Sequence, residues 1–344
     1  MKFKEKIINI DFYDFDDSLI KIVEQYYNIG EFIAVQPIIL DGEYASLLEV
    51  RSETSKKMIF TTTFGKYFLK QIPWYCDSDD DLQFSINNQL NLYNKNIPMA
   101  KIIQNNEGNY YINVNNKKFV VFEYINGRRF TGKIEEIKSA ALSLAKINSE
   151  LPIGNDRTDY FKIIEDQIEI IDFGEYSDFK TYLLKFINNI NNNFSINGFY
   201  NLEPITLHGD FNKWNLVFDP SNSEVLGVLD FDNIDCGPRI RDLSEAILSF
   251  GVICYKKDST NFTEKVYSKE NFVYAKEFYK AYNFHADLSD LERFLLPDLI
   301  KVVFLELVTL GLIRKDFSLN QLLINNIKLF IQDEINVLVK ELYN

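Results

Sequence analysis

Histidine and cysteine are scarce in this chain of 344 residues, which contains only two histidines and three cysteines. Two histidines cannot build a multi-histidine metal site, and they leave at most one or two places for a histidine base. Cys76, Cys236 and Cys254 are too few and too scattered for a disulfide framework or a cysteine-based zinc site. The cysteine content therefore favours a reducing, cytoplasmic setting.

Basic residues are also in deficit, because 37 lysines and arginines face 50 aspartates and glutamates, giving a formal charge of −13. A nucleic-acid-binding protein needs a surplus of basic residues on one face, and neither the total nor any local run supplies it. The nearest approach to a long apolar run, residues 294–313, is interrupted by Asp298, Lys301 and Glu306 and predicts a buried amphipathic helix. The charged first residues contain no apolar signal-peptide core. We therefore expect no nucleic-acid partner, no membrane span and no secretion.

The chain does contain enough apolar material for a full core. Hydrophobic residues make up 46% of it and aromatic residues 15%, as in globular proteins, and the length fits about two domains. A helix follows Asp16-Asp17-Ser18, and a second is expected at residues 82–93. Runs of β-branched and aromatic residues occur at 34–40, 44–50, 58–72, 110–114 and 118–124. This pattern predicts a small, largely antiparallel sheet in the first third of the chain.

After Gly127 the pattern changes to helical periodicity, for example at residues 134–149, and short strands return only between residues 206 and 231. From residue 241 onward the pattern is helical again. The asparagine-rich residues 188–193 are interpreted as a helix end or a loop. We predict a first lobe at residues 1–122, a hinge at 123–127 and a second lobe at 128–344.

The segment that carries the chemistry begins with His208-Gly209-Asp210 and reaches Asn215, five residues after the aspartate. Turn residues 219–222 separate two apolar runs, 216–218 and 224–229, so the sequence predicts a hairpin. Asp230 ends the second strand of that hairpin. The hairpin should therefore return Asp230 to the loop that holds Asp210 and Asn215.

Two carboxylates and an amide in this order are what phosphoryl transfer from a nucleotide requires. One carboxylate accepts the proton of the attacking hydroxyl, while an amide oxygen and another carboxylate hold Mg²⁺ on the phosphates. Mg²⁺ prefers oxygen ligands. We interpret Asp210 as the base and Asn215 and Asp230 as the metal ligands. Each residue alone could be an ordinary turn or strand-end residue, but the spaced set favours a kinase.

The motif H-G-D-x-x-x-x-N, followed by a strand and Asp230-Phe231-Asp232, resembles the aminoglycoside-phosphotransferase and choline-kinase-like family of small-molecule kinases. The resemblance extends to Gly237-Pro238-Arg239-Ile240-Arg241-Asp242, where the family has an aspartate that caps a helix and braces the catalytic loop. It implies an α+β, bilobal protein-kinase-like fold, with a small antiparallel β-sheet N-lobe carrying one helix and a larger, mainly helical C-lobe. It further implies structural roles for His208 and Asp242, Mg²⁺ as cofactor, and ATP or GTP as co-substrate.

A second kinase-like triplet, Asp172-Phe173-Gly174, spells the metal motif of protein kinases. It precedes Asp210 in the chain, whereas the metal aspartate must follow the catalytic loop by one hairpin. We therefore interpret this triplet as a coincidence in a helix or a loop.

In the N-lobe, the resemblance implies a strand lysine that reaches the α- and β-phosphates. Lys70 matches it, and Lys66, at the turn that begins with Phe64-Gly65, is the weaker candidate. The first hairpin has no G-x-G-x-x-G, a departure that occurs commonly in the family, and Ser46 or nearby backbone N–H groups could hold phosphate. By resemblance, backbone groups of Glu123 and Ile125 would bind adenine, although the same residues could form a plain edge strand.

One element departs from the family, which pairs the strand lysine with a glutamate on the following helix. Ser85 stands at the matching position, and the helix at residues 82–93 has glutamines and asparagines but no acid after Asp81. Three alternatives stay open: Asp81 reaches the lysine, a glutamine substitutes, or Lys70 lacks its ion pair. The last alternative leads to a kinase-fold nucleotide-binding protein of low activity.

The acceptor is the least determined feature of the predicted reaction. By resemblance the C-terminal helices select it, and Asp232, Asp235 and Glu245 are candidate contacts, with Asp298 and Glu306 as further acids. Carboxylates would suit a cationic acceptor such as an aminoglycoside or an amino alcohol. Our hypothesis is a kinase for a hydroxyl of an aminoglycoside-like antibiotic or other small acceptor, acting as a monomer or homodimer. The alternative is a metabolite kinase for homoserine, choline, a thiamine-type compound or a sugar.

Overall fold

The computed structural model describes residues 17–37, 57–73, 78–154, 159–253, 269–313 and 318–344. The chain divides into two compact units, one of Met1–Tyr93 with Met99–Asn126 and the other of Asn94–Pro98 with Gly127–Asn344. The predicted strand at residues 44–50, Ser46, Cys76 and Cys254 lie outside the described residues. The α+β class is confirmed, because the first unit contains an antiparallel sheet and the second is mostly helical.

Five described strands of the first unit form one sheet. In chain order, the elements of this unit are α1 (Asp17–Tyr26), β1 (Phe32–Pro37), β2 (Lys57–Thr62), β3 (Lys66–Gln71), α2 (Asp79–Asn94), β4 (Ile112–Val114) and β5 (Lys117–Glu123). The strands lie in the order β1-β2-β3-β5-β4, and every neighbouring pair is antiparallel. Helix α2 begins earlier than predicted because Asp79, Asp80 and Asp81 fill its first turn, where carboxylates meet the positive end of the helix dipole.

The two faces of this sheet bury two separate clusters, because successive side chains of a strand point to opposite faces. Phe119 and Val121 of β5 pack in a cluster with residues of α1, whereas Val120 between them packs with residues of α2. Lys70 of β3 pairs directly opposite Val120. The Lys70 side chain therefore belongs to the face of the sheet that α2 covers.

The second unit combines helices with two short two-stranded sheets. Its elements are α3 (Ile134–Glu150), α4 (Tyr160–Ile170), α5 (Ser177–Asn197), β6 (Pro204–Leu207), β7 (Leu216–Phe218), β8 (Val225–Val228), β9 (Asp235–Pro238), α6 (Ile240–Gly251), α7 (Phe272–Ala286), α8 (Asp290–Ile313), α9 (Gln321–Leu329), a π-helical turn (Phe330–Glu334) and α10 (Ile335–Tyr343). Strands β7 and β8 form the predicted hairpin, while β6 pairs with β9, a strand that the sequence did not predict. Helices α3 and α6 pack against α7, and α8 packs against α4 and α6.

The asparagine-rich residues 188–193 lie inside helix α5, so the prediction of a helix end or loop there is wrong. Ile187, Ile190 and Phe194 are buried at helical spacing, while the asparagines at 188, 189, 192 and 193 are exposed on the other face. An apolar stripe of this period outweighs the modest helix propensity of asparagine. The helix ends at Gly198, whose φ of +84° is left-handed.

Helix α8 contains the apolar residues 294–313 that the sequence marked as a buried helix. Most of its side chains from Leu295 to Thr309 are buried, which confirms that prediction. In the part of the chain that the structure describes, no helix is long and apolar enough to cross a bilayer.

Candidate active site

The loop between β6 and β7 holds the carboxylate of Asp210 in place with two side-chain amides. Asn212 donates from Nδ2 to Oδ1 of Asp210 at 2.6 Å, and Asn215 donates from Nδ2 to Oδ2 at 2.8 Å. Both amides also donate to the Asp210 carbonyl oxygen, at 3.2 and 2.9 Å. Because both oxygens of the carboxylate are fixed, Asp210 has a defined orientation for accepting a proton.

Asn212 is a residue of this loop that the sequence reasoning missed. Its Oδ1 accepts the backbone N–H groups of Trp214 and Asn215, at 3.0 and 3.2 Å, and so starts the short 3-10 turn Lys213–Asn215. An asparagine directly before a short helical turn, with its side chain free to accept the first N–H groups of that turn, is a typical capping signal. That signal could have identified Asn212 as the residue that couples the turn to Asp210.

The β7–β8 hairpin returns the chain to this loop and ends at Asp230. Leu229 donates its backbone N–H to the carbonyl of Asn215 at 2.8 Å, and its own carbonyl meets Nε2 of His208 at 3.1 Å. Asp230 itself adopts φ +70° and ψ +60°, a left-handed conformation that is uncommon outside glycine. The structure thus brings Asp210, Asn215 and Asp230 to one place.

His208 is fully buried and connects the two halves of the site. Its Nδ1 accepts the backbone N–H of Asp210 at 3.2 Å, so Nε2 carries the proton and donates to the carbonyl of Leu229. Burial lowers the pKa of His208, which favours this neutral form. The ring also packs against Phe211 and Phe231.

Gly209 is required by the close approach of the two loops. Its φ is +75°, and a Cβ atom at this position would lie 1.8 Å from the carbonyl oxygen of Asn233. No other residue type fits without moving the backbone that follows Asp230. The glycine of the motif is thus explained by contact between the segments.

Asp242, in the first turn of α6, accepts hydrogen bonds from the start of the loop between β6 and β7. Its Oδ2 accepts the backbone N–H of His208 at 2.9 Å, and its Oδ1 accepts that of Gly209 at 3.0 Å. The sequence expected this aspartate to cap the helix, but the cap position is occupied by Arg239. Asp242 turns towards the loop because the loop's N–H groups face it.

Two residues outside the motif support Asp242, and neither was identified from the sequence. Asn148 of α3 donates from Nδ2 to Oδ2 of Asp242 at 3.0 Å, and the hydroxyl of Tyr282 on α7 donates to Oδ1 of Asn148 at 2.9 Å. All three side chains are buried. The contacts join α3, α6 and α7, which are far apart in the chain, so no local pattern could reveal them.

One face of α6 lies along the loop between β6 and β7. Asp242, Glu245 and Ser249 recur at helical spacing. Ser249 accepts the backbone N–H of Lys213 at 3.2 Å, and Glu245 lies between Asp242 and Ser249 on the same face of α6. Burial, and secondly the charge of Asp230, raise the pKa of Asp210.

The oxygen donors at this place fit a hard divalent cation. The carboxylate and carbonyl of Asp210 can only accept, so the amide nitrogen of Asn215 faces them and its Oδ1 points away. The described residues contain no cluster of three or more histidine, cysteine or acidic groups with metal-site geometry. An amide and a carboxylate that leave most positions to phosphates and water suit Mg²⁺.

Arg241 pairs with two of the other acids that the sequence offered as acceptor contacts. Its guanidinium pairs with Asp235 and, at 3.6 Å, with Glu306, and it lies 4.2 Å from the ring centre of Tyr160. The Tyr160 hydroxyl donates to Glu306. Asp298 pairs with Lys301 at 2.6 Å, and the half-buried Asp232 lies in the 3-10 turn directly after Asp230.

The candidate nucleotide-binding residues of the first unit lie on different elements. Lys70 is buried in β3, whereas Lys66 is exposed at the start of that strand. Glu123 ends β5 and donates its backbone N–H to the carbonyl of Lys101 at 2.8 Å, and Ile125 follows in a segment without regular structure. Ser46 lies outside the described residues.

Helix α2 offers a serine where the family has its glutamate. Ser85 is buried on the side of α2 that faces the sheet, and its hydroxyl accepts from Nε2 of Gln89 at 3.1 Å. The carboxylate of Asp81 accepts the hydroxyl of Ser78 at the exposed start of the helix, so the structure does not support the alternative in which Asp81 reaches the buried lysine.

The triplet Asp172-Phe173-Gly174 has a local structural explanation. Asp172 accepts the backbone N–H of Gly174 at 3.0 Å, which closes a turn before the 3-10 helix Gly174–Tyr176. Phe173 is buried against Phe179. The loop reading of this triplet is confirmed.

Comparison with known proteins is consistent with this geometry. The model of the phosphotransferase enzyme family matches residues 47–255, more than half of the chain. Among solved structures, an amicoumacin kinase in complex with AMP-PNP, Ca²⁺ and Ami has a TM-score of 0.68 at 16% identity, with 94% of each chain covered.

Two further solved structures are similar over almost the whole chain. The microcompartment-associated aminopropanol kinase has a TM-score of 0.65 at 12% identity, covering 95% of this chain and 94% of that one. An aminoglycoside phosphotransferase from Alicyclobacillus acidocaldarius has a TM-score of 0.64 at 11% identity, covering 94% and 95%. Identities this low show the fold alone. A search of curated protein sequences finds no match.

Proposed function

Because the chain belongs to the phosphotransferase enzyme family, we propose that it transfers the γ-phosphate of ATP or GTP to a hydroxyl group of a small acceptor. The observation that carries the proposal is the convergence of Asp210, Asn215 and Asp230, which are held together by Asn212, His208 and Leu229. A proton acceptor and two oxygen ligands side by side are the groups that phosphoryl transfer to an alcohol uses.

In this mechanism Asp210 accepts the proton of the acceptor hydroxyl as the oxygen attacks the γ-phosphorus. The amides of Asn212 and Asn215 keep both carboxylate oxygens in position during that step. Asn215, through Oδ1, and Asp230 would hold Mg²⁺, which supplies neutralisation of the charge on the phosphates. Asp242 and His208 act through the loop backbone and contact no reacting atom in this scheme.

For the nucleotide, we propose that Lys70 binds the α- and β-phosphates and that Ser46 contributes to phosphate binding. Backbone groups of Glu123 and Ile125 would recognise adenine or guanine. The burial of Lys70 on the face covered by α2 supports its choice over the exposed Lys66. The low cysteine content supports a cytoplasmic protein. We further propose that the protein acts as a monomer or homodimer.

For the acceptor, we propose a cationic small molecule, either aminoglycoside-like or an amino alcohol. Acidic residues line the segments that follow the catalytic loop, and Asp232, Asp235 and Glu245 are the candidate contacts. An excess of carboxylates over basic groups around the base attracts a positively charged substrate. An antibiotic kinase and a metabolite kinase both satisfy this description.

A second candidate is a kinase-fold protein that binds nucleotide with little turnover. It is favoured by one observation: Ser85, whose hydroxyl bonds to Gln89, stands where the family has the glutamate partner of the strand lysine. A serine in place of that glutamate removes the acid that positions the strand lysine for the phosphates in the family.

One experiment separates the two candidates. Thermal stabilisation by ATP and by GTP, each with and without Mg²⁺, measures nucleotide binding, and a library of hydroxyl acceptors then tests for phosphate transfer. We expect Mg²⁺-dependent stabilisation, and transfer to at least one acceptor that Asp210→Ala abolishes. Nucleotide binding without transfer or Asp210-dependent hydrolysis would support the binding protein instead.

A further inference from the structure

We propose that three side chains at the far end of the β7–β8 hairpin position the two proposed Mg²⁺ ligands, Asn215 and Asp230, which that hairpin joins. The three side chains are those of Arg128, Glu136 and Ser223, and we call them the hairpin anchor. This inference rests on the proposed function, because it assumes that Asn215 and Asp230 hold Mg²⁺. It deepens that function by identifying what keeps the two ligands at a fixed separation.

The hairpin that joins the two ligands is short. Strand β7 has three residues and β8 has four. Asn215 comes directly before β7, and only Leu229 separates β8 from Asp230. The pairing register shifts between Val217 and Phe218, as in a β-bulge. Because a two-stranded hairpin of this size is marginally stable by itself, contacts from outside must determine its position.

The backbone of Arg128 pairs with the far end of β7. Its N–H donates to the carbonyl of Phe218, and the N–H of Phe218 donates to the carbonyl of Arg128, both at 2.8 Å. The two residues form an isolated antiparallel bridge. Phe218 is the last residue of β7, at the opposite end of the strand from Asn215. The bridge therefore holds β7 at the place where its register with β8 shifts.

The guanidinium of Arg128 connects the hairpin turn to helix α3. It donates from Nη2 to the hydroxyl of Ser223 at 3.3 Å, and Nη1 bonds to the carboxylate of Glu136. Ser223 is buried in the turn between β7 and β8, and its φ of +65° is left-handed, which is uncommon outside glycine. The planar fork of an arginine can bind two partners in fixed directions, so this contact fixes the turn relative to α3.

Glu136 is a rigid partner for this guanidinium. It lies in the first turn of α3 and is fully buried. Its carboxylate also accepts the backbone N–H of Thr131 at 2.8 Å, the hydroxyl of Thr131 at 2.7 Å and the backbone N–H of Lys133 at 3.2 Å. A buried carboxylate with this many donors keeps one orientation.

Helix α3 also holds the beginning of β8. The hydroxyl oxygen of Ser139 accepts the backbone N–H of Val225 at 2.9 Å. Both strands are thus attached to α3, β7 through Arg128 and β8 through Ser139. At the other end, the N–H of Leu229 donates to the carbonyl of Asn215 at 2.8 Å. The separation of the two ligands is therefore set at both ends of the hairpin.

Loss of the anchor should weaken metal binding more than proton transfer. The affinity of a metal site depends on how well surrounding groups orient its ligands, and the anchor orients the hairpin that carries both ligands. The carboxylate of Asp210 is instead held by the amides of its own loop. A variant of the anchor should accordingly need more Mg²⁺ but remain active when Mg²⁺ is saturating.

The test uses two variants of different severity. Arg128→Met removes the guanidinium but keeps an extended side chain, and Ser223→Gly removes only the hydroxyl contact and suits the left-handed backbone. Calorimetry gives the Kd of AMP-PNP with Mg²⁺ and with EDTA, and transfer to 1-amino-2-propanol gives the Mg²⁺ concentration for half-maximal rate. For Arg128→Met we expect the Kd in Mg²⁺ and the half-maximal concentration to rise about 10-fold. For Ser223→Gly the rise should be about 2- to 5-fold. The Kd in EDTA and the rate at saturating Mg²⁺ should stay near wild type.

The matched control is Glu334→Gln, which breaks another ion pair of a buried carboxylate, with Lys269 at 2.7 Å in the π-helical turn. It should lower the melting temperature without changing the need for Mg²⁺. An equal change in Mg²⁺ dependence for this control would overturn the inference, because any loss of stability would then suffice. A lower rate for Arg128→Met that saturating Mg²⁺ does not restore, with unchanged Mg²⁺ dependence, would also overturn it.

Failure of the proposed function gives a different result. Wild-type protein would then transfer no phosphate in an Asp210-dependent reaction, while the Kd values of AMP-PNP in Mg²⁺ and in EDTA would still compare the variants. Binding of AMP-PNP by wild type that does not depend on Mg²⁺ would contradict the anchor directly, because the hairpin would then hold no metal.

Discussion

The loop of the second unit that holds the proposed base and the residues of the first unit that we propose for nucleotide binding are organised differently. In the loop, Asp210, Asn212 and Asn215 bond to one another within six residues, and the neighbouring hairpin completes the set. In the first unit, Lys70 depends on a face shared with α2, where Ser85 replaces the usual acid. A sequence motif can therefore predict the positions of side chains that are held by local contacts, but not of those that are held by elements distant in the chain.

The largest expected effect is at the loop between β6 and β7, whose groups are held by local contacts. Asp210→Asn keeps the shape of the side chain but removes the proton acceptor, so we expect kcat to fall by roughly 10²–10⁴-fold. The matched control is Asp219→Asn in the hairpin turn, where the carboxylate bonds only to nearby turn residues and activity should stay near wild type. Steady-state phosphate transfer measures both variants, and equal activity of the two would refute the role of Asp210.

A smaller effect is expected for the strand lysine. Lys70→Ala removes the lysine that we propose binds the phosphates, and a charged contact of this kind is worth roughly 10- to 100-fold in nucleotide KM. Lys66→Ala at the exposed start of β3 is the matched control and should change KM by less than about twofold. Nucleotide titration with a thermal-stability check distinguishes lost binding from lost folding, and a larger effect at Lys66 would reverse the assignment.

The pH dependence of the reaction should reveal the environment of Asp210. Burial and the charge of Asp230 raise its pKa, and a base works only when it is deprotonated. The kcat/KM for transfer should therefore fall as the pH decreases through this raised pKa, up to about tenfold per pH unit. A profile that stays flat down to the ordinary aspartate range would show that Asp210 is not the titrating base.

The smallest effect is expected at the support of Asp242. Tyr282→Phe removes one buried hydrogen bond, to Asn148, and should lower the free energy of unfolding by about 1 kcal/mol. We expect kcat to fall only a few-fold, because two loop N–H groups still bind Asp242. Chemical denaturation and steady-state rates measure the two quantities, and a loss of activity as large as that of Asp210→Asn would mean that the loop depends on α7.

The sequence predicted the parts of the molecule whose causes are local. The β7–β8 hairpin and the buried helix α8 follow from turn residues and periodicity. Strand β9 could not be predicted locally because its partner, β6, is distant in the chain. The continuous helix α5 differs from the predicted helix end or loop because the buried stripe of Ile187, Ile190 and Phe194 determines the structure there, rather than the asparagine-rich composition.

The same limit applies to the candidate site. Asp210, Asn215 and Asp230 form a spaced motif that the sequence displays directly. The need for glycine at position 209 becomes clear only in the structure, where the backbone of Asn233 leaves no room for a Cβ atom. Arg241 could not be assigned from the sequence, because its partners Asp235 and Glu306 meet only in the folded chain. Long-range charge pairing thus decides which acids remain for a substrate.

The central claim is that Asp210 directs transfer of a nucleotide phosphate to an acceptor hydroxyl. Phosphorus NMR of the reaction with ATP, Mg²⁺ and 1-amino-2-propanol tests it most directly. We predict a phosphate ester that appears together with ADP in wild type, disappears without Mg²⁺, and is absent in Asp210→Asn. Formation of the same ester by Asp210→Asn at the wild-type rate would contradict the account.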